Sequence, residues 1–172
     1  HLEYWLKGGR GSLKTSFAFL YVVWDMMNEI LKGNIVHSVA LRKIKDTIRS
    51  SVYNDVLWAL NTLGLRHLWK ATVSPMQMTC GDSSIIFAGC ANQQDYEKIK
   101  GIKFEKGQLK HAIFEEVTEF TNYAEILSII QSLFRGCDDG SCLFTYNPPP
   151  SKSNWVNLEV KNISDDRVVH NS

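Results

Sequence analysis

The sequence is poor in the features that mark membrane proteins, secreted proteins and strongly charged proteins. None of its apolar runs approaches the roughly 20 residues that a membrane-spanning helix needs, and we expect no signal peptide. Its 19 basic and 18 acidic residues nearly cancel, so no strong overall field attracts a polyanion, which disfavours a stand-alone nucleic-acid-binding protein. The length of 172 residues indicates one globular domain with a real core.

Cysteine and proline are also scarce. The cysteines lack the paired spacing of a structural zinc site, so we expect reduced thiols in an intracellular protein. They are Cys80, Cys90, Cys137 and Cys142. Three of the four prolines stand together at residues 148–150, where they break regular structure. The chain contains neither an internal repeat nor a low-complexity tract.

The most informative segment is a glycine-rich loop between a short apolar run and a long amphipathic one. Its residues are Gly8, Gly9, Arg10, Gly11, Ser12, Leu13, Lys14 and Thr15. Glycines let backbone N–H groups curl around an anion, and the N-terminus of the following helix adds its dipole. Lys14 would reach the β- and γ-phosphates of a nucleotide, and the Thr15 hydroxyl would bind Mg²⁺. One departure from the pattern is Leu13, which stands where glycine usually precedes the lysine.

A second segment places two acids at the end of an apolar run. Residues 109–114 form the run, and Glu115 and Glu116 follow it directly. Because neighbouring side chains of a strand point to opposite faces, the two acids would take different roles at the sheet edge where ligands bind. We assign Glu115 to the Mg²⁺ ion and Glu116 to general-base activation of the attacking water. The alternative is a pair of solvated acids at a strand end.

Hydrophobic periodicity predicts alternating strands and helices, and therefore an α/β fold with a mostly parallel sheet flanked by helices. Strands are predicted at residues 4–7, 35–41, 70–74, 76–80, 83–88, 109–114 and 141–146, with one more near the C-terminus. Helices are predicted at residues 14–32, 47–63, 93–100 and 122–136. The strands at 76–80 and 83–88 flank a tight turn and form an antiparallel edge hairpin. In the first helix, a stripe is expected in the core: Phe17, Leu20, Tyr21, Trp24, Met27 and Leu31.

With both motifs in place, the sequence resembles the ATPase domain of the large terminase subunit of tailed bacteriophages, in the branch with a GGRGS-type phosphate loop. The segments that carry the resemblance lie, in the family's order, at residues 8–15, 39–43, 84–89, 98–101, 113–120 and 144–149. The resemblance implies a RecA-like P-loop NTPase of the additional-strand (ASCE) branch, with residues 1–172 as a single ATPase domain. Family members continue into a C-terminal nuclease domain, which we expect to be absent from this fragment together with its nuclease activity.

The resemblance also implies a function and its partners. The chain would be an ATP-driven motor, with ATP and Mg²⁺ as cofactors, that moves double-stranded viral DNA into an empty procapsid. The implied partners are the portal protein, the small terminase subunit and further copies in a homo-oligomeric ring of about five, without a membrane. Its place would be the host cell cytoplasm, and transiently the portal vertex. Two alternatives stay open, namely another translocase or helicase-like ATPase and a nucleotide-binding module with little turnover.

Further residue roles follow from the resemblance. Thr145, Tyr146 and Asn147 match the segment that couples ATP hydrolysis to movement. Lys100 stands near the position where many relatives place an arginine that acts on a neighbouring subunit's ATP, and Arg42 is an alternative for that role. A third candidate is Arg10, inside the phosphate loop.

The lysines around Lys100 have two interpretations. They are Lys98, Lys100, Lys103, Lys106 and Lys110. The first interpretation is a solvated loop, which composition favours. The second is contact with the phosphates of DNA or of a neighbour's ATP.

Overall fold

A mixed sheet of eight strands runs through the computed structural model, which describes residues 1–137, 139–162 and 164–171. The strands are β1 (Leu2–Lys7), β2 (Val36–Arg42), β3 (Lys70–Val73), β4 (Met76–Cys80), β5 (Ser83–Gly89), β6 (Gln108–Glu115), β7 (Ser141–Tyr146) and β8 (Arg167–Asn171). The helices are α1 (Lys14–Leu31), α2 (Val52–Thr62), α3 (Gln93–Lys100), α4 (Tyr123–Leu133) and α5 (Trp155–Glu159). Single 3-10 turns lie at Lys45–Thr47, Arg66–Leu68 and Val117–Glu119.

The strands lie across the sheet in the order β3-β4-β5-β2-β6-β7-β1-β8. Every neighbouring pair from β5 to β8 is parallel, whereas β3, β4 and β5 pair antiparallel at one edge. Gly81, between β4 and β5, adopts φ +57°, a left-handed conformation that glycine reaches without steric cost. The predicted parallel sheet with an antiparallel edge hairpin is confirmed.

Helices cover both faces of the sheet, so the central strands are buried on both sides. On one face, α1 and α2 pack on strand residues such as Ala40, Ile113 and Leu143. On the other face, α3 and α4 pack on the alternate residues, such as Leu41 and Phe114. Strands with two buried faces read as nearly continuous apolar runs, which is why β2, β6 and β7 stand out in the sequence. None of the described helices is both long enough and apolar enough to cross a membrane.

The first helix buries a different face from the one we predicted. Its core-facing residues are Ala18, Phe19, Val22, Val23, Met26 and Met27. The predicted stripe is wrong in part, because Phe17, Trp24 and Leu31 are 58%, 54% and 78% exposed. Both faces of the helix carry apolar residues, so the helical period alone does not choose between them. Close packing against the sheet selects the face with more aliphatic and methionine side chains.

The second helix begins later than predicted. We expected it from residue 47, but α2 starts at Val52, after a 3-10 turn. The hydroxyl groups of Ser50 and Ser51 donate to the Thr47 carbonyl at 3.1 and 2.8 Å. Such local side-chain bonds to the backbone compete with helix formation and delay its start.

The C-terminal part contributes α5 and β8. The five-residue α5 was not predicted, since it is too short for a helical period to be visible. β8 is the predicted final strand, and it pairs parallel with β1 at the sheet edge. The Arg167 Nε atom donates to Glu3 Oε2 at 2.8 Å, which joins the two strands through their side chains.

The carboxyl ends of the parallel strands meet at one edge of the sheet, and β7 lies between β1 and β6. In the strand register, Lys7 is opposite Tyr146. Glu115 is opposite both Thr145 and Arg42. The loop after β1, the end of β7 and the acids at the end of β6 therefore come together where parallel sheets bind ligands.

Candidate active site

The glycine-rich loop joins β1 directly to α1. The Gly8 N–H donates to the Tyr146 carbonyl at 3.3 Å, and the Ser12 N–H donates to the Gly9 carbonyl at 3.3 Å. Helix α1 begins at Lys14 with no acidic residue in its first turn and no side-chain cap. The first N–H groups of a helix have no acceptor within the helix, and its positive dipole end favours an anion. This end of α1 therefore suits a phosphate group.

Leu13 takes the conformation that explains why glycine is usual at its position. Its φ is +59° and its ψ is 10°, in the left-handed region, which costs a residue with a side chain about 1–2 kcal/mol. The side chain is 71% exposed, so its size meets no conflict with the core. The loop therefore keeps its turn at the expense of local backbone strain.

Lys14 contacts the predicted coupling segment. Its Nζ atom donates to Asn147 Oδ1 at 2.8 Å and lies 3.5 Å from the Gly9 carbonyl oxygen. Asn147 directly follows β7, the strand between the two motif strands. The structure thus joins Lys14, the lysine predicted to bind phosphate, to the end of β7 through one charge-assisted hydrogen bond.

Glu115 is buried at the end of β6 and paired with Arg42 from the end of β2. Arg42 Nη1 donates to Glu115 Oε2 at 2.9 Å and to Ser51 Oγ at 2.8 Å, while Nη2 donates to Glu119 Oε1 at 3.2 Å. Burial raises the pKa of Glu115 to about 7, and the nearby Arg42 charge opposes that rise. A further cation beside this carboxyl would favour its ionised form, which is the form that binds Mg²⁺.

Glu116 stands in an unusual backbone conformation immediately after the strand. Its φ is 52° and its ψ is 56°, and non-glycine residues in this region cluster at functional sites. The Glu119 N–H donates to its carbonyl at 2.8 Å, which fixes the turn. Its carboxylate is half-buried and makes no hydrogen bond or ion pair with the described residues. The side chain is therefore available to a water molecule.

Buried hydroxyl groups of the phosphate loop and of β7 have no hydrogen-bond partner within the described ranges. They are Ser12 Oγ, Thr145 Oγ1 and the Tyr146 hydroxyl. Buried polar groups are normally satisfied, so each is a candidate for a ligand contact. Hydroxyl and carboxylate oxygens are the donors that Mg²⁺ and its water shell prefer. The predicted metal ligands Thr15 and Glu115, together with these neighbouring hydroxyl groups, are of the chemical types that fit a magnesium nucleotide.

The three candidates for a finger residue occupy different places. Arg10 is exposed on the phosphate loop and makes no ion pair with any residue that the structure describes. Arg42 lies in the site of its own chain, held by Glu115 and Glu119. Lys100 ends α3, which follows β5 and returns to the start of β6, so it lies toward the sheet edge opposite the phosphate loop.

The sequence pattern of the family described as "Phage terminase large subunit" matches residues 2–172. The chain belongs to the phage terminase large subunit family. The large terminase subunit of Bacillus phage SPP1 is 34% identical over 163 residues, which cover 91% of this chain and 37% of that protein. This terminase chain thus spans little more than a third of the length of its curated relative.

Solved terminases share the fold. The large terminase of a thermophilic bacteriophage matches 99% of this chain and 39% of its own, with a TM-score of 0.70 and 18% identity. That protein has also been solved in complex with ADP. The ATPase domain of the large terminase of Thermus phage P74-26 matches 98% of this chain and 74% of its own, with a TM-score of 0.65 and 8% identity. The predicted RecA-like fold is confirmed.

Sequence reasoning missed part of the terminase site. It did not include Ser51 and Glu119, which complete the contacts of Arg42. Glu119 belongs to the acid-rich segment after β6 and could have been found by its spacing of four residues from Glu115. Ser51 carries no comparable signal, because its role depends on where the turn before α2 meets β2.

Proposed function

We propose that this terminase chain is the ATP-hydrolysing motor of the large subunit, which drives double-stranded viral DNA into the procapsid. The observation that carries the proposal is the convergence of the phosphate loop, Asn147 and the acids Glu115 and Glu116 at one sheet edge. A phosphate-binding lysine, a metal-binding acid and a base in one place are what phosphoryl transfer to water requires. The curated relative is a terminase large subunit, and the large terminase of the thermophilic bacteriophage binds ADP, which supports the proposal.

The phosphates of ATP would lie on the loop at the N-terminus of α1. Free backbone N–H groups of the loop would surround them, and Lys14 Nζ would contact the β- and γ-phosphates. Thr15 and Glu115 would hold Mg²⁺, which would supply positive charge to offset that of the phosphates. Arg42 keeps Glu115 in place through its two-sided contact with Glu115 and Glu119.

Glu116 is the proposed general base. Its carboxylate would orient a water molecule in line with the γ-phosphate and accept its proton. Lys14 and a finger residue would stabilise the charge that develops on the transferred group. We assign the finger role to Lys100 of a neighbouring copy, with Arg10 as the alternative.

Coupling would pass through Asn147. A γ-phosphate that draws Lys14 toward itself changes the contact between Lys14 and Asn147, and loss of the phosphate restores it. Thr145 and Tyr146 are the last two residues of β7 and directly precede Asn147, and the prolines at 148–150 follow it. The segment after β7 would therefore shift with the nucleotide state, as switch segments do in other ATPases.

The remaining parts of the proposal rest on family membership. The partners would be double-stranded viral DNA, the portal protein, the small terminase subunit and a ring of about five copies. The motor would act in the cytoplasm of the bacterial host, at the portal vertex of the procapsid.

Steady-state ATP hydrolysis with and without double-stranded DNA tests the proposal. We expect Mg²⁺-dependent turnover that falls by about 10²–10³-fold in Lys14→Ala, the scale for loss of one transition-state contact. Lys32→Ala removes an exposed lysine at the far end of the same helix and should leave turnover unchanged. ATP binding without turnover in any assembly state would instead indicate a nucleotide-binding module. Strand separation on a forked duplex would indicate a helicase-like enzyme.

A further inference from the structure

Positive charge is concentrated in one short segment of the chain. Residues 98–110 contain five lysines and one glutamate, which gives a net charge of +4. The remaining fourteen basic and seventeen acidic residues give the rest of the chain a net charge of −3. The segment comprises the end of α3, the following loop and the start of β6. The nearly neutral total therefore hides a strongly basic region beside a mildly acidic remainder.

Three lysines of this segment have acidic partners. Lys106 Nζ lies 3.1 Å from an oxygen of Asp82, Lys98 Nζ lies 4.0 Å from Asp95 Oδ1, and Lys110 Nζ lies 4.0 Å from Asp139 Oδ2. For these lysines a role in local charge balance is sufficient. The two lysines between them, Lys100 and Lys103, make no ion pair within the described part of the chain.

The unpaired cations converge on one groove. A groove of about 390 Å³ lies between the loop after α3 and the end of α4, and Lys100, Lys103 and Arg135 line it. Arg135 follows α4, so a second element contributes the third cation. No acidic side chain is among the described residues that line the groove. The arrangement presents three positive charges to one opening without neutralising any of them.

Contacts with buried residues hold the loop that carries Lys103 in place. His37 stacks on Phe104 with ring centroids 4.0 Å apart and an angle of 6° between the rings. The other side of the loop is held by a hydrogen bond of 2.8 Å between His37 Nε2 and the Lys106 carbonyl. A Cβ atom on Gly107 would lie 2.2 Å from the Ile35 carbonyl oxygen, so the loop is also packed tightly against the residues before β2.

The groove favours the backbone of a duplex over unpaired bases. Phe104 is the aromatic residue of the lining, and its ring is already stacked on His37. Unpaired bases need an open aromatic face on which to stack, whereas duplex phosphates need only cations and release bound counterions. The groove lies toward the sheet edge opposite the phosphate loop, so it can be occupied while a nucleotide is bound.

We propose that Lys103 and Arg135, in the groove that Lys100 also lines, bind backbone phosphates of double-stranded DNA, which leaves Lys100 for its proposed role at a neighbouring copy's nucleotide. The inference rests on the proposed packaging function and names the surface that holds the DNA. The contact is independent of base sequence, as a motor that passes over a whole genome requires. A neighbouring copy with an acidic surface is the competing occupant, and the test below separates the two.

The test compares two variants that lose the same charge. Lys103→Gln with Arg135→Gln removes two groove cations, and Lys152→Gln with Lys161→Gln removes two exposed lysines elsewhere. Binding of a labelled duplex is measured by fluorescence anisotropy over a series of salt concentrations. We expect the groove variant to flatten the slope of log K against log salt by about 1.8, at about 0.9 for each lost phosphate contact. The control variant should keep the wild-type slope.

Several outcomes would overturn the inference. They are equal slopes in the groove variant and wild type, an equal loss in both variants, or a wild-type protein that does not bind the duplex at low salt. A groove variant that loses self-association in sedimentation, with DNA binding intact, would assign the groove to a neighbouring copy. Unfolding midpoints of both variants verify that the fold is retained. ATP turnover without DNA, measured on the wild type, judges the proposed function separately.

Discussion

Lys14 and Asn147 are 133 residues apart in the sequence, yet Lys14 Nζ donates to Asn147 Oδ1 at 2.8 Å. The first residue belongs to the phosphate loop and the second to the end of β7. An ammonium group has three donors, so Lys14 can bind a phosphate and keep Asn147, or exchange one for the other. In either case, we expect a phosphate on Lys14 to change the contact that Lys14 makes with the end of β7.

Replacing Asn147 should therefore affect turnover more than nucleotide binding. We expect Asn147→Ala to lower kcat for ATP by about 10–100-fold, which corresponds to one hydrogen bond to a charged group at about 1.5–3 kcal/mol. The Kd for ATP, measured with a fluorescent analogue, should change much less. Asn61→Ala, on the exposed side of α2, is the matched control. A variant in which kcat is unchanged would remove Asn147 from the coupling path.

Leu13 allows a test of backbone strain in the phosphate loop. Leu13→Gly removes the cost of φ +59°, about 1–2 kcal/mol, and adds about 0.5–1 kcal/mol of chain entropy to the unfolded state. We expect the free energy of unfolding in urea to rise by up to about 1 kcal/mol, and to fall in Leu13→Val, since branched residues avoid this region. Leu31→Gly, in ordinary helical conformation, should lower it. A destabilised Leu13→Gly would show that the side chain has a role of its own.

The position of Arg42 predicts how it behaves in mixed oligomers. Arg42 contacts Glu115 and Glu119 of its own chain, so Arg42→Ala should impair its own site. Lys14→Ala subunits have no functional active site of their own, but their intact Lys100 can still act on the nucleotide of a neighbouring copy. Mixing them with Lys100→Ala subunits should restore ATP hydrolysis if Lys100 acts in trans, where such a residue contributes about 10³–10⁵ in rate.

Mixing Lys14→Ala subunits with Arg42→Ala subunits should restore nothing. Recovery of activity in that mixture would instead place Arg42 in the site of its neighbour. Arg42→Lys keeps the charge but loses the planar fork that reaches two acids, and it serves as the variant of choice if Arg42→Ala does not fold.

The buried position of His111 predicts that the protein loses stability on acidification. Burial lowers its pKa, although the hydrogen bond and the charge of Asp25 oppose the shift. His111 Nδ1 faces Ser141 Oγ at 2.7 Å and Nε2 faces Asp25 Oδ2 at 2.9 Å, the Tyr21 ring contacts it edge-on, and Lys110 lies nearby.

Below the unfolded pKa of about 6.5, the unfolded chain binds a proton that the folded chain resists, so the free energy of unfolding falls with pH by up to about 1.4 kcal/mol per unit. The pKa of Asp25 is lowered, so its own contribution is lost only at more acid pH. We expect His111→Asn to flatten the loss between pH 6.5 and 5 in urea titrations. His67→Asn, at an exposed position, should leave the loss of stability unchanged. Equal slopes of unfolding free energy against pH in the wild type and both variants would refute the assignment of the pH dependence to His111.

The parts of the fold that the sequence predicted are those governed by local signals. Short local sequence patterns identify the glycine loop, the apolar strands and the turn at Gly81. The structure has these elements at the predicted places. The predicted helix at residues 122–136 is present as α4, and Asn122 caps it through its Oδ1, which accepts from the Glu125 N–H at 2.9 Å. Helix boundaries were less accurate where side chains bond locally, as Ser50 and Ser51 do before α2.

The rest depended on contacts between distant parts of the chain. The buried face of α1 is chosen by the sheet beneath it, which the helix sequence does not contain. The contact between Lys14 and Asn147 requires β7 to lie between β1 and β6, and the pair of Arg42 with Glu115 requires β2 to lie beside β6. The roles assigned to the site residues stay predictions until they are measured.

The most direct test of the account is ATP hydrolysis by Glu116→Gln beside the wild type, with and without double-stranded DNA. Glutamine keeps the shape of the side chain but cannot accept the proton of the attacking water, so we expect turnover to fall by about 10²–10⁴-fold. Binding of ATP should survive, and Glu97→Gln, at an exposed position of α3, should hydrolyse ATP like the wild type. Full turnover in Glu116→Gln, or loss of ATP binding with it, would contradict the central claim that Glu116 is the general base of a motor ATPase.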